Sequence, residues 1–218
     1  MSKNIVAIFD VDGVIIRGQS LLMLVRYLFI TKRVTFLYFT SVFFWFLFFK
    51  AGLIKDVNIM RKRSLRVIKD WEMSEVEEML KDFYQKELRL TLNNEILELL
   101  RNHQEKNHLV ILASASITPL IKLIAKELKV NHQVSSPLIH LNGLYTGETG
   151  IIAYGDDKLI LVKKLLDDLN VFPDLTYVYS DDYSDVPLLT FAEKAIVINP
   201  RSKLRNLATQ RNWKIYDF

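Results

Sequence analysis

The strongest constraint on the fold is an alternation of short β-branched runs with longer helical patterns. The run Ile5–Phe9 predicts a buried strand that ends directly before Asp10. Later predicted strands lie at 109–113, 133–135, 177–179 and 195–198, with a hairpin signal at 141–144 and helices between them. This alternation predicts an α/β fold, a doubly wound Rossmann-like parallel sheet with helices on both faces.

Between the first strand and about residue 90, the patterns are helical only. Helices are predicted at 21–30, 34–54 and about 57–68, and a fourth from Ser74, where Ser-Glu-Val-Glu is typical of a helix N-terminus. We therefore expect a sheet domain made of residues 1–16 and 91–218, and an inserted all-helical cap made of residues 17–90.

The charge is unevenly distributed along the chain. The net charge is +4, but residues 17–69 hold eleven basic side chains against one acid, so that segment carries +10 and the remainder −6. Such a block favours an anionic partner at one end of the molecule. The absence of cysteine excludes disulfides, thiolate zinc sites and cysteine nucleophiles. The short apolar run before Asp10 is unlike a secretory signal, so we expect the body of the protein in the cytoplasm.

Polar side chains follow several of the predicted strands, at the ends where parallel sheets bind ligands. These candidates are Asp10, Asp12, Ser114, Asp181 and Asp185, together with Lys158 at the start of a helix. A carboxylate can attack phosphorus, and a second carboxylate two residues on can protonate the leaving oxygen. Carboxylates suit Mg²⁺, while a lysine and a hydroxyl suit phosphate oxygens. The set therefore predicts phosphoryl transfer.

Four segments resemble the motifs of the haloacid dehalogenase superfamily, in the family's order. Phe9-Asp-Val-Asp-Gly-Val-Ile15 is similar to the first motif and Ile111-Leu-Ala-Ser-Ala-Ser116 to the second. Tyr154-Gly-Asp-Asp-Lys158 resembles the lysine motif, and Tyr179-Ser-Asp-Asp-Tyr-Ser-Asp185 the fourth. Taken singly, each acid is equally well explained as a helix or strand cap, whereas four motifs in order favour a site. The second and third motifs are closest to the phosphoserine-phosphatase-like subfamily, which has a helical cap.

This resemblance implies a magnesium-dependent phosphatase that forms an aspartyl-phosphate intermediate. By resemblance, Asp10 is the nucleophile and a metal ligand, and Asp12 is the acid/base and offers its backbone carbonyl to the metal. Ser114 and Lys158 are implied to bind phosphate, Asp181 to bind the metal, and Asp185 to support the metal site. No role is assigned to Asp182, which stands where the family usually has a small residue.

Other polar groups carry less information. The four histidines have no metal spacing, and we expect them in structural or surface roles. The basic run Arg61-Lys-Arg63 with Arg66 suits a solvated helix face better than a phosphate site. No signature of a nucleic-acid-binding module occurs, so we expect no nucleic-acid partner.

The segment 34–49 is the most unusual part of the cap. Thirteen of its sixteen residues are apolar or aromatic, so a helix there has no polar face and must be surrounded by protein or by lipid. As a helix it is roughly 24 Å long, short of the roughly 30 Å hydrocarbon core. We expect a re-entrant or peripheral hairpin of about residues 20–54 at the cytoplasmic side of a membrane, with a buried cap core or a dimer face as the alternative.

Two substrates compete. Phosphoserine phosphatases carry a glutamate where this chain has Gln19, and Ser-Gly-Gly where it has Ser114-Ala-Ser. The apolar, basic-flanked cap instead resembles that of bacterial phosphatidylglycerophosphate phosphatases of the superfamily. A membrane lipid phosphate is therefore the first expectation and a soluble, phosphoserine-like metabolite the alternative. A membrane-tethered binding protein without activity is a third interpretation, which the intact motifs disfavour.

Overall fold

A computed structural model describes residues 4–51, 53–54, 56 and 63–218, without the side chain of Lys50. Eight strands are described: β1 (Ile5–Phe9), β2 (Leu109–Ile117), β3 (His132–Ser136), β4 (Leu138–Leu141), β5 (Leu144–Thr149), β6 (Leu175–Ser180), β7 (Lys194–Ile198) and β8 (Lys214–Tyr216). Six of them form one parallel sheet in the order β3-β2-β1-β6-β7-β8. The predicted parallel sheet is confirmed, and so is the β4–β5 hairpin.

Eight α-helices of six or more residues are described together with these strands. They are α1 (Ser20–Ile30), α2 (Phe36–Lys50), α3 (Met73–Lys86), α4 (Asn94–Glu105), α5 (Thr118–Glu127), α6 (Asp156–Asp168), α7 (Val186–Phe191) and α8 (Ser202–Gln210). Short 3₁₀ turns lie at Arg66–Ile68, Leu88–Thr91 and Tyr183–Asp185. The first half of the helix predicted near 57–68 lies outside the described residues, which show helix at 63–65.

The central strand β1 is covered on both faces, which explains its unbroken apolar run. Ala7 and Phe9 belong to one core cluster and Val6 and Ile8 to the other. All four side chains are fully buried. The polar residues that follow β1 therefore start from a rigid position.

The helical segment leaves and rejoins the sheet domain at neighbouring points. The amide of Arg17 donates to the carbonyl of Thr91 at 2.8 Å, and the amide of Asn93 donates to that of Ile15 at 2.9 Å. The same core cluster holds Phe9 of the sheet and Phe83 of α3, so the two parts share a hydrophobic core. The division into domains at 16/17 and 90/91 stays a prediction.

The start of α3 differs from the expectation. The helix begins at Met73, with Glu72 as its extended N-cap, and the predicted cap at Ser74 is wrong. The reason is tertiary: Glu72 pairs with Leu144 of β5, and the amide of Met73 donates to the carbonyl of Gly143 at 3.0 Å. That pairing holds the chain extended as far as Glu72.

Helix α2 is shorter than the predicted 34–54. It starts after Thr35, whose side chain accepts from the amide of Tyr38, and it ends at Lys50. Within its described side chains, Val42 alone is buried. Large apolar side chains stay exposed by 40–80 %: Phe36, Leu37, Phe43, Phe44, Leu47 and Phe48. We call these six residues the α2 outer face. In the part of the chain that the structure describes, no helix is long and apolar enough to cross a membrane.

The other helix of the expected hairpin, α1, is held by protein. Leu24, Val25, Tyr27 and Leu28 are buried. Tyr27 packs against Phe83 with ring centroids 5.4 Å apart. The hydroxyl of Tyr27 donates to the carboxylate of Asp82. The buried side of α1 therefore packs against α3 of the cap. The exposed apolar surface of the pair thus belongs mainly to α2.

Candidate active site

The candidate site lies beyond the carboxyl ends of β1 and β6, in a cavity between the sheet and the cap. Four of the six predicted residues line this cavity: Asp10, Asp12, Lys158 and Asp181. The fifth, Asp185, lies directly behind Lys158. The sixth, Ser114, is fully buried beside the cavity. The fold therefore gathers residues that are far apart in the sequence.

Asp10 and Asp12 are fixed by different parts of the chain. The amide of Asp10 continues the sheet pairing, donating to the carbonyl of Tyr179 at 2.9 Å. The carboxylate of Asp12 accepts from the amide of Ser20 at 2.6 Å and from its hydroxyl at 3.1 Å. Since Ser20 is the first residue of α1, these two contacts fix the Asp12 side chain at the start of that helix.

Lys158 bridges two buried carboxylates, Asp10 after β1 and Asp185 after β6. It lies in the first turn of α6, and its Nζ is 3.1 Å from Asp10 Oδ1 and 2.8 Å from Asp185 Oδ2. Ser180 also donates to Asp185 Oδ2, at 2.7 Å. The side chains of Lys158, Asp10 and Asp185 are only 4 %, 9 % and 0 % exposed. A cation is thus held rigidly beside the candidate nucleophile.

Burial and the neighbouring charges both shift the pKa values of Asp10 and Lys158. Burial raises the pKa of Asp10 well above its usual range, Lys158 lowers it, and the nearby acids Asp185, Asp181 and Asp12 raise it again. Burial by itself lowers the pKa of Lys158, but Asp10 and Asp185 outweigh it, so this pKa lies above its ordinary value. Lys158 therefore stays charged, and the crowded carboxylates favour a further cation near Asp10.

The carboxylate of Asp181 lies against Gly13 of the first motif. Gly13 has φ +80°, and a Cβ at that position would lie 2.1 Å from Asp181 Oδ2. A side chain here would therefore overlap the carboxylate, besides straining the backbone. Glycine at position 13 lets Asp181 lie against the loop that carries Asp10 and Asp12.

These residues fit a magnesium ion. Three carboxylates, those of Asp10, Asp12 and Asp181, line one cavity, and their mutual repulsion is relieved by a divalent cation. Among the described residues, no group of three His, Asp or Glu side chains is close enough to enclose a metal by itself. Mg²⁺ commonly takes one or two protein carboxylates and completes its coordination shell with water and phosphate oxygens.

The second motif is arranged differently from a simple strand end. Strand β2 continues to Ile117, four residues beyond its predicted end, so Ser114 lies within the strand. The hydroxyl of Ser114 accepts from the amide of Ser116 at 3.0 Å, and Ala115 and Ser116 line the cavity. Ser20 also donates to the hydroxyl of Ser116, at 3.0 Å.

The sequence interpretation missed Ser20, Ser116 and Ser184, which all line the cavity. One signal was available for Ser20, because its position ahead of the apolar pattern of α1 is typical of a helix start. Nothing local marks the other two, whose role depends on the packing of distant segments.

Part of the cavity lining is apolar. Leu21, Phe46, Phe49 and Tyr154 contribute to it, and the ring centroids of Phe49 and Tyr154 are 5.9 Å apart. Helix α2 thus contributes one side to the cavity and the α2 outer face to the surface. A substrate reaching Asp10 passes aromatic side chains of the cap.

Comparison with known proteins agrees with this geometry. The profile of a family described as haloacid dehalogenase-like hydrolase matches residues 7–190. The phosphoserine phosphatase SerB1 of Mycobacterium tuberculosis is 28 % identical over 218 residues, covering 97 % of this chain and 70 % of that protein.

Two solved structures show the same fold. A protein of unknown function from Bordetella pertussis Tohama I superposes with a TM-score of 0.90 at 22 % identity, covering 99 % of both chains. A phospho-aspartyl intermediate analogue of phosphoserine phosphatase superposes with a TM-score of 0.71 at 15 % identity, covering 98 % of this chain and 93 % of the other.

Proposed function

This chain belongs to the haloacid dehalogenase-like hydrolases and is a phosphatase, and from that premise we propose that Asp10 is the nucleophile of a magnesium-dependent phosphomonoesterase. The observation that carries the proposal is the buried contact of Lys158 Nζ with Asp10 Oδ1 at 3.1 Å. It holds a positive charge where phosphoryl oxygens would lie during attack by Asp10.

The reaction has two steps. In the first, a carboxylate oxygen of Asp10 attacks phosphorus, the phosphorus–oxygen ester bond breaks, and Asp12 gives its proton to the leaving alcohol. In the second, Asp12 takes a proton from water, the water oxygen attacks phosphorus, and the acyl phosphate on Asp10 breaks to release inorganic phosphate. Together the two steps return Asp10 and Asp12 to their starting states.

The remaining residues position these groups. Asp10, the Asp12 carbonyl and Asp181 would hold Mg²⁺, which supplies positive charge for the phosphoryl oxygens. Asp185 is engaged with Lys158 and Ser180, so we assign it the positioning of Lys158, with the metal site nearby. Ser114 Oγ accepts from the amide of Ser116 at 3.0 Å, so we assign it support of the backbone at Ser116. The predicted contact of Ser114 with phosphate stays a prediction.

The test is release of phosphate from 4-nitrophenyl phosphate. We expect turnover that stops when Mg²⁺ is chelated and returns when it is added back. Asp10→Asn keeps the shape but removes the attacking charge, so turnover should fall by several orders of magnitude. Asp157→Asn makes the same change at an exposed position on α6 and should leave turnover unchanged. Full activity in excess chelator, or in Asp10→Asn, would contradict the proposal.

The relatives favour a small phosphorylated metabolite as the substrate, because named relatives such as the one from Mycobacterium tuberculosis are phosphoserine phosphatases. This class needs no contact with a membrane. With such a substrate, the cytoplasmic location predicted from the sequence remains part of the proposal.

A separate observation favours a second candidate, a lipid phosphate met at a membrane surface. The α2 outer face exposes four aromatic rings and two leucines on the helix whose Phe46 and Phe49 line the cavity. The exposed cations Lys32 and Arg33 lie beside the start of α2, where anionic head groups would attract them. The contact would be peripheral, with α2 lying in the interface rather than crossing it.

Vesicles separate the two candidates. Each exposed side chain of the α2 outer face, being half buried already, would add about 1 kcal/mol on entering lipid. Replacing Phe44, Leu47 and Phe48 by Gln should therefore release the protein from anionic vesicles while its turnover of 4-nitrophenyl phosphate continues. Hydrolysis of phosphoserine with no binding of the unmodified protein to vesicles would instead establish the soluble substrate.

A further inference from the structure

A second cavity opens directly from the catalytic one. The two share five lining residues: Gln19, Phe49, Tyr154, Asp181 and Asp182. The second cavity continues past them to Tyr183, Arg201 and Lys203. It therefore lies where the leaving group of a substrate would extend when its phosphoryl group is at Asp10 and Lys158.

The far wall of this cavity carries two cations. Arg201 follows the carboxyl end of β7, and Lys203 lies in the first turn of α8, where there is no acidic residue. The Nζ of Lys203 lies over the ring of Tyr183, 3.7 Å from its centroid, which holds the cation at the cavity. Two positive charges thus line a space that also borders Asp181 and Asp182, where it adjoins the catalytic cavity.

Neither Arg201 nor Lys203 makes an ion pair with any residue in 4–51, 53–54, 56 or 63–218. By contrast, Arg205 on the same helix is paired with Asp217, with Nη1 2.9 Å from Oδ2. A guanidinium beside an ammonium, both available at a cavity wall, is an arrangement suited to a carboxylate or phosphate.

We propose that Arg201 and Lys203 bind a second anionic group, carried by the leaving alcohol of the substrate. This inference rests on the proposed phosphatase reaction and names its substrate class: a phosphomonoester whose alcohol also bears a carboxylate or a further phosphate. Gln19, at the junction of the two cavities, is uncharged and leaves recognition of the anion to the two cations. The subsite sets specificity and takes no part in the chemistry.

The test compares three aryl phosphates that differ in one substituent. Carbamoylphenyl phosphate carries a neutral amide, carboxyphenyl phosphate carries a carboxylate of nearly the same shape, and phenylene bisphosphate carries a second phosphate. We expect kcat/KM to be about 10-fold or more higher for at least one anionic compound than for the amide, as expected for charge-assisted contacts. The preferred anion then identifies which group the subsite takes. The preference should shrink as salt is raised.

Variants place this preference in the second cavity. In Arg201→Gln/Lys203→Gln the ratio of kcat/KM between anionic and amide substrates should fall to about one, and the ratio is unaffected by any loss of folded enzyme. The control Lys194→Gln/Lys214→Gln removes the same charge from the starts of β7 and β8, at the opposite ends of the strands. It should keep the wild-type ratio.

The outcomes separate the two claims. Turnover of all three compounds without preference, or a preference retained in Arg201→Gln/Lys203→Gln, would overturn the subsite and leave the phosphatase reaction standing. Failure of the unmodified enzyme to hydrolyse any of them in the presence of Mg²⁺ would overturn the proposed reaction and the subsite with it.

Discussion

Replacing Lys158 by Met removes the cation from the buried cluster and keeps the length of the side chain. Asp10 and Asp185 then face each other without their shared partner, and both are almost fully buried. Breaking a buried ion pair by removing one member costs about 3–5 kcal/mol, because the remaining charge is left without compensation. We expect Lys158→Met to lower the free energy of unfolding by that amount at neutral pH, and to lower kcat by about 10²-fold or more.

The chain offers a matched control on the same helix. Lys164 Nζ lies 2.8 Å from Asp168 Oδ2, a contact as short as that of Lys158 with Asp185, but these side chains are 66 % and 60 % exposed. Exposed pairs contribute roughly 0–1 kcal/mol, so Lys164→Met should change the free energy of unfolding by less than about 1 kcal/mol. It should leave turnover unchanged. Burial, rather than distance, is what distinguishes the two lysines.

Urea unfolding followed by tryptophan fluorescence measures both free energies, and phosphate release measures kcat. Lys158→Met/Asp185→Asn removes one of the two unpaired acids, so it should recover part of the lost stability without recovering kcat. Two results would refute the reasoning. One is a Lys158→Met protein as stable as the unmodified chain, and the other is near-normal kcat in the double variant.

Two further predictions concern the first motif and a buried histidine. Gly13→Ala should displace Asp181 and raise the Mg²⁺ concentration needed for turnover. The control Gly143→Ala is also at φ +80° but has nothing within 4 Å, so it should cost about 1–2 kcal/mol of backbone strain and leave turnover intact. Equal turnover in both variants would contradict this prediction. Burial lowers the pKa of His103 to about 4. Between about pH 6.5 and pH 4, His103 is therefore protonated in the unfolded chain but neutral in the folded chain. The free energy of unfolding should therefore fall by about 2 kcal/mol as pH drops from about 6.5 to about 4, after allowance for solvent screening; His103→Gln should flatten that slope and His140→Gln should not.

The fold class and the main acids follow from local sequence patterns. The run Ile5–Phe9 and the alternation after residue 90 predict parallel strands, and the carboxyl ends of neighbouring parallel strands place Asp10 and Asp181 together. The short strand β8 was not predicted, because three residues carry too little periodicity.

Features that depend on tertiary packing were not predictable. The start of α3 is set by pairing with the β4–β5 hairpin, and the contact of Ser20 with Asp12 depends on where α1 begins. The all-apolar pattern of α2 predicted that lipid or protein surrounds the helix, but it did not indicate which of its side chains are exposed. The second cavity is lined by Arg201 and Lys203 together with Phe49 of the cap. No local sequence pattern predicts that these distant residues lie around one cavity.

The central claim is that the phosphoryl group passes through Asp10, and chemical trapping tests it most directly. Borohydride reduces an acyl phosphate to an alcohol, so enzyme quenched with borohydride during turnover should carry homoserine in place of Asp10 when its peptides are sequenced by mass spectrometry. The conversion should require both substrate and Mg²⁺, and Asp12 and Asp181 should remain unmodified. Turnover at the normal rate with no homoserine at position 10, or with homoserine at another aspartate, would contradict the account.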